Sequence, residues 1–301
     1  MGLTNKIKVY IRAFRLPFLV ASIFPFVFGS FYPQQFSLIV FFGGIVCVVF
    51  THLGANLIND YADSKTGLDW KDTKFYGFFG GSKLIQEGVL SESFYLNRAV
   101  VCFLIALLSV FFLAVKLASV KIVIYYFLII FLGFSYSHKP FQFCYHFLGE
   151  LVIFILFGPA IVMGAYFLQT GLFPCLKSFI LSLPFGFFTT AILVANEVPD
   201  YKEDNLFNKF NLIKLISLKK SYFLYLVLNS LGFISILIAY FLGLLPFFSL
   251  ISLSSFFLIL KAALIIKNDF TLKNELIKSS QLTILNQVLV SLILILSIKF
   301  I

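Results

Sequence analysis

The stretch FSLIVFFGGIVCVVFTHLGANLINDYADSKTGLD, residues 36–69, starts as an apolar run and ends in Asp60, Asp63 and Asp69. No Asp, Glu, Lys or Arg interrupts residues 36–59. A bilayer core of about 30 Å is crossed by roughly 20 apolar residues of helix, so the first part of this stretch is a membrane span. Comparable runs lie near 16–32, 94–115, 120–137, 147–169, 175–198, 221–242, 244–266 and 280–299. Backbone polar groups in lipid must be satisfied inside each span. The sequence therefore predicts an all-α integral membrane protein of about nine transmembrane helices, in one bundle around a central cavity.

Composition supports this reading. Of the 301 residues, 60% are hydrophobic and 12% charged, and the mean hydropathy is +1.01, a balance that a water-soluble domain could not cover with polar surface. No cleavable signal peptide is expected, because Lys6, Lys8, Arg12 and Arg15 lead into a span without a small-residue cleavage site. Short connectors such as 243–246 leave little room for a soluble domain. A single membrane domain over 1–301 is expected, with enlarged loops at 59–93 and 199–220. The net charge of +10 does not point to nucleic acid, since the basic residues are spread among loops between spans. Threading nine spans puts all of the 23 Lys and Arg on one side except Lys116, Lys121, Lys177 and Lys299. The positive-inside rule makes that side cytoplasmic. The N-terminus then faces the cytoplasm and the C-terminus lies opposite.

The same threading gathers all 13 Asp and Glu on the cytoplasmic side, and acidic residues contribute little to orientation. Register gives them another role. If the helix continues through Asp63, then Asn56, Asp60 and Asp63 share one face, while Gly67 ends or bends it and lets Asp69 fold back. In Asn196-Glu-Val-Pro-Asp-Tyr-Lys-Glu-Asp204, the residues Asn196, Asp200 and Asp204 recur every four positions and form a second stripe. Pro199 predicts a bend or the end of that helix. One such loop is ordinarily just solvated polar chain, but two in register after even-numbered spans point to a shared ligand. Facing carboxylates repel unless cations sit between them. Mg²⁺ prefers oxygen ligands and is commonly held by one or two carboxylates together with substrate phosphates. Between the stripes, Gly80-Gly81-Ser82-Lys83 offers close backbone amides and a positive charge to an anion.

These residues resemble a known family. NDYADSKTGLD at 59–69 and NEVPDYKED at 196–204 are similar to the two aspartate motifs of UbiA-type intramembrane prenyltransferases. The resemblance extends to GGSKLIQEGVLS at 80–91, FSYSHKP at 134–140, LGELVIFILFGPAIVMGAY at 148–166 and NKFNLIKLI at 208–216, covering most of the chain. Within the superfamily, the DxxDxxxGxD form and the GGSK and LGEL segments look most similar to 1,4-dihydroxy-2-naphthoate polyprenyltransferases of menaquinone synthesis. The resemblance implies Mg²⁺ ligation by Asn59, Asp60, Asp63, Asp200 and Asp204. It implies diphosphate contacts from Asn196 and Lys83, with Asp69 in support; helical register adds Asn56. Two departures stand out. Pro199 occupies a position where many members have Arg, which makes Lys202 the candidate for the missing charge. Tyr136 is followed by Lys139 at a spacing unlike the family pattern, and both are carried as site candidates.

The expected reaction is Mg²⁺-dependent transfer of a polyprenyl group from its diphosphate to an aromatic acceptor, without an obligatory protein partner. 1,4-Dihydroxy-2-naphthoate is the leading acceptor, with 4-hydroxybenzoate, another quinone precursor or a glyceryl phosphate as the alternatives. For the acceptor's proton, Tyr136, Glu150 and Glu197 are the candidates. A cation-coupled transporter is the reading from another class, and it predicts polar groups near the membrane midplane. The four cysteines (Cys47, Cys102, Cys144, Cys175) lie far apart without CxxC spacing and read as packing residues.

Overall fold

The computed structural model describes residues 3–300. The helices are α1 (Leu3–Ala13), α2 (Val20–Phe31), α3 (Leu38–Thr66), α4 (Glu92–Lys116), α5 (Lys121–Ser137), α6 (Gly149–Phe157), α7 (Pro159–Thr170), α8 (Leu176–Leu206), α9 (Leu212–Ile216), α10 (Ser221–Phe241), α11 (Phe256–Asp269) and α12 (Lys273–Ser297). There is no strand among the described residues. Large apolar side chains stand on the outside, among them Leu108, Val115, Leu176 and Phe241, each at least 69% exposed. Such a surface is stable only against hydrocarbon.

Each expected apolar run lies on helix, but the count of spans differs. Seven helical segments are long and apolar enough to cross a membrane, and an eighth forms if the pair 4–13 and 16–31, bent by 51°, counts as one. The run at 120–137 yields α5, which at 17 residues is shorter than those seven. Its rise is about 26 Å at 1.5 Å per residue. The run at 147–169 is broken at Gly158, where α6 gives way to α7.

α8 is the inner helix. In its most apolar window 72% of residues are buried, against 22% in α3 and 28% in α4. It packs on α6, α7, α10 and α12, while α3 and α4 lie along each other at the flank. Lipid offers helices no hydrophobic drive to associate, so packing and interhelical hydrogen bonds must hold them. Gln287 donates to Thr189 (2.8 Å), Ser255 donates to Asn286 (2.8 Å), and Tyr225 pairs with Thr283 (2.7 Å). At Gly158 the backbone comes so near α8 that an added Cβ would stand 2.7 Å from the Gly186 Cα.

Both acidic stripes are helical, as their register predicts. α3 runs to Thr66 and ends at Gly67, whose φ of 87° is left-handed, a conformation glycine adopts without a Cβ penalty. The chain then turns, and Asp69 is buried in a short 3-10 turn. Of the two outcomes expected at Pro199, a bend or the end of the helix, the end does not occur: Pro199 lies inside α8, which continues to Leu206. An interior proline costs about 3 kcal/mol, yet Val198 and Pro199 are buried among neighbouring helices, and that packing holds the helix through the break.

Candidate active site

Each stripe ends beneath the loop at 77–83, and three residues of that loop join them. The backbone N–H of Ser82 donates to Asp60 Oδ2 (3.3 Å), and that of Gly80 donates to Asp200 Oδ2 (3.0 Å). Lys83 Nζ donates to Asp69 Oδ1 (2.7 Å) and to the Asp69 carbonyl (3.2 Å). Gly81, at φ 78°, passes so close that a Cβ there would meet Asp69 Oδ2 at 2.8 Å. The loop thus stitches the α3 stripe to the α8 stripe. Burial pushes the Asp69 carboxyl above its ordinary value, against the pull of the Lys83 ammonium.

Cations from outside the two motifs complete the cluster. Arg15 pairs with the other oxygen of buried Asp60. Arg12 braces the loop, donating to the Ser82 carbonyl (2.6 Å) and to Glu87 (2.6 Å), with its guanidinium 3.7 Å from the Phe75 ring centroid. Between α1 and this loop lies a cavity of about 420 Å³, bounded by Lys8, Arg12, Arg15, Phe75 and Ser82. Lys209, just past α8, reaches Asp204 Oδ1 at 3.4 Å, and Asn211 donates to the other oxygen at 3.4 Å. Burial works to lower the Lys209 pKa, but Asp204 and Asp63 outweigh it and hold the ammonium well above its ordinary value. Lys209 thus sets an ammonium against Asp204 at the end of the second stripe.

The structure brings Asp60, Asp63, Asp69, Lys83, Asp200 and Asp204 to one region. Tyr136 lies beside it, half-buried, its ring 3.5 Å from the Cβ position of Gly149. The three asparagines serve as braces: Asn56 donates to the Phe14 carbonyl (3.2 Å), Asn59 accepts from Ser137 (3.2 Å) and Asn196 accepts from Ser280 (2.9 Å). Lys202 is not brought in. It is exposed, and two residues from Asp200 on a helix it faces away from the stripe. Lys139 is likewise exposed beyond the end of α5. Positive charge at the stripes comes instead from Lys209 beside Asp204 and Arg15 beside Asp60, neither of which the two aspartate motifs identify. Lys209 lies within the matched segment 208–216, which was its only signal.

The donor set suits Mg²⁺. Among the described residues no three His, Cys, Asp or Glu are placed to hold a metal ion by themselves; Mg²⁺ is commonly held by one or two protein carboxylates together with water and substrate phosphate. Asp200 has one oxygen outside its bond to Gly80, and Asp63 is half-buried on the other stripe. Asp204 depends on Lys209. Lys209→Met, which leaves a buried carboxylate without its cation, is expected to cost about 3 kcal/mol, seen as a lower midpoint of thermal unfolding in detergent. An unchanged midpoint would show that the pair carries no stability.

A cluster of carboxylates and cations beneath a Gly-Gly-Ser-Lys loop, at the ends of apolar helices, is a polar site built into a membrane protein. The model of the UbiA prenyltransferase family matches residues 22–277, and the chain belongs to that family. It is 31% identical over 244 residues to UbiA prenyltransferase domain-containing protein 1 of Mus musculus, covering 78% of this chain and 68% of that protein. The homolog of that protein in Drosophila melanogaster is 30% identical over 236 residues, covering 75% of this chain, and the match spans 63% of the fly protein's length. The 1,4-dihydroxy-2-naphthoate octaprenyltransferase of Bacillus subtilis is 25% identical over 190 residues, covering 62% and 58%. Among solved structures, a UbiA homolog from Archaeoglobus fulgidus bound to GPP and Mg²⁺ shares the fold, with a TM-score of 0.63 at 14% identity over 95% of this chain and 99% of that one.

Proposed function

We propose that this protein transfers a polyprenyl group from polyprenyl diphosphate to 1,4-dihydroxy-2-naphthoate, in menaquinone biosynthesis. The observation that carries this reading is the loop bridge, in which Gly80, Ser82 and Lys83 join the carboxylates of α3 to those of α8. Such a site, at the end of an apolar bundle, suits a polyanionic headgroup on a long apolar tail. The Mg²⁺ and GPP of the A. fulgidus relative support the donor, and the B. subtilis relative supports the acceptor.

Asp60, Asp63, Asp200 and Asp204, with Asn59, would hold the metal. When bound, Mg²⁺ neutralises charge on the departing diphosphate. Lys83, Lys209 and Arg15 share that work from the protein side: they are already positioned, and preorganised charge lowers the barrier to breaking the allylic C–O bond. The C–O electron pair leaves on the diphosphate and the electron-rich ring attacks the allylic carbon. The apolar interior keeps out water that would otherwise capture it. By the positive-inside rule the site and N-terminus face the cytoplasm and the C-terminus the opposite side of the membrane. Carboxylates at helix ends, rather than near the midplane, argue against a transporter.

The test uses purified protein in lipid nanodiscs with Mg²⁺, labelled polyprenyl diphosphate and a panel containing 1,4-dihydroxy-2-naphthoate and 4-hydroxybenzoate. Prenylated naphthoid product and free diphosphate are expected, lost on chelation with EDTA and restored by Mg²⁺. Product from 4-hydroxybenzoate alone would move the acceptor; ion-driven uptake without turnover would overturn the enzyme reading.

A further inference from the structure

Lys261 stands where a membrane helix seldom carries a charge. It lies within the apolar crossing segment Phe247–Asp269, eight residues before the polar end of that segment, or about 12 Å at 1.5 Å per residue. Phe257 and Leu264, its neighbours on the same helix face, are exposed, as is Lys261 itself, so this face of α11 meets lipid. Charged residues at such depth ordinarily turn into the bundle or pair with an opposite charge. Lys261 takes part in none of the ion pairs among the described residues. Its ammonium rests 4.2 Å from the centroid of the Phe257 ring, which gives the three N–H donors no oxygen to bond.

A second lysine stands across from it. α12 returns alongside α11, and Lys278, Gln281 and Leu285 are exposed along one of its faces. Between the two helices runs a groove of about 560 Å³, lined by Lys261, Lys278 and Gln281 with Leu264, Leu282 and Leu285. Lys278 follows Lys273 by five residues, and Lys273 joins Asp72 to Glu203. Both groove lysines therefore lie toward the end of the bundle that carries the acidic stripes. Lys278 is paired only with Glu275, one turn back on α12 at 3.0 Å. Both members of that pair are largely exposed, and such pairs hold weakly.

We propose that this groove binds one anionic phospholipid, its phosphate between Lys261 and Lys278 and an acyl chain along Leu264, Leu282 and Leu285. Charge complementarity selects the headgroup, since two ammonium groups line the groove and no carboxylate does. The leucines select a lipid over a free anion, which has no tail to bury. Gln281 adds an amide N–H for a phosphate or ester oxygen. Lysine stems lie on apolar surface while their ammonium groups reach for polar partners, and basic pockets between membrane helices hold anionic headgroups in this way. A zwitterionic lipid brings its own cation to the two lysines and gains less. The bound lipid spans α11 and α12, and so braces the hairpin whose second helix begins at Lys273.

The experiment titrates the purified full chain in detergent with phosphatidylglycerol or phosphatidylcholine and counts bound lipid by native mass spectrometry. One phosphatidylglycerol is expected to stay bound at concentrations where phosphatidylcholine does not. Lys261→Gln and Lys278→Gln are each expected to lower phosphatidylglycerol affinity about fivefold, the worth of one lysine beside an anionic lipid, and the double variant about 25-fold. Lys267→Gln is the control: its ammonium faces Tyr222 of α10, outside the groove, and wild-type affinity is expected. In phosphatidylcholine nanodiscs every variant is expected to keep the wild-type unfolding midpoint. Adding phosphatidylglycerol should then raise the midpoint of wild type and Lys267→Gln but not of the double variant. Equal affinity for the two lipids would overturn the proposal, as would an equal loss in Lys267→Gln, which would reduce the effect to net charge. Early melting of Lys261→Gln in neutral lipid would tie that lysine to packing within the chain and overturn it too. Displacement of the lipid by a stoichiometric polyprenyl thiodiphosphate would give the groove to the prenyl donor instead. A dimer on size-exclusion chromatography that excludes the lipid would give it to a second copy of the chain; either result overturns the proposal.

Discussion

Asp200→Ala is expected to lower kcat/KM by roughly 10²- to 10³-fold, the loss typical when one preorganised electrostatic contact is removed from a transition state. Asp200 has two roles that this change removes together: it anchors the loop through Gly80 N–H, and it offers a carboxylate oxygen to the metal. Asp200→Asn separates them, because the amide oxygen can still accept from Gly80 while the charge is gone. If charge dominates, Asn is as impaired as Ala and both need higher Mg²⁺ for half-maximal rate. If loop anchoring dominates, Asn recovers most of the rate. Wild-type kcat/KM in Asp200→Ala, with an unchanged unfolding midpoint, would remove Asp200 from the site.

The second large effect is on folding. Gly158→Ala puts a Cβ 2.7 Å from the Gly186 Cα and 2.8 Å from the Gly186 nitrogen. These are backbone atoms, which no rotamer change can move aside. Overpacking ordinarily costs about 1–3 kcal/mol, and a clash with backbone is expected at the upper end, about 3 kcal/mol. Size-exclusion chromatography and the midpoint of thermal unfolding would register it as aggregated or early-melting protein. Gly133→Ala is the control, since nothing lies within 4 Å of its Cβ position on α5. A Gly158→Ala protein as stable as that control would mean that α6 and α8 tolerate separation.

The stripes were legible because periodicity reports which residues share a face of one helix. Asn56, Asp60 and Asp63 required only that α3 run past its apolar part, and Gly67 marked where it stopped. At Pro199 the helix does not stop, because a local rule about hydrogen bonding gives way to the burial of α8, a property of neighbours rather than of residues 196–204. Lys202 is a candidate by its nearness to Pro199 and Lys139 by the family's Tyr-then-basic pattern, and both are exposed. Lys209 and Arg15 come to the site from outside the two motifs. Arg15 reaches Asp60 across 45 positions, and Lys209 depends on a left-handed turn at Asn208, φ 54°. Register orders a single helix; it does not say which remote segment folds across its end.

Lys273, at the start of α12, donates to Asp72 beyond the first stripe (2.8 Å) and to Glu203 beside the second (3.0 Å). Asp72 and Lys273 are 201 positions apart. A chain emerging from the ribosome folds from its N-terminal end, so both aspartate stripes are made long before this clasp exists. An unfinished chain paused before residue 273 holds its acidic residues without the tie between their outer ends. Synthesis therefore sets a schedule for this protein: the mouth is fastened only when the last helix arrives.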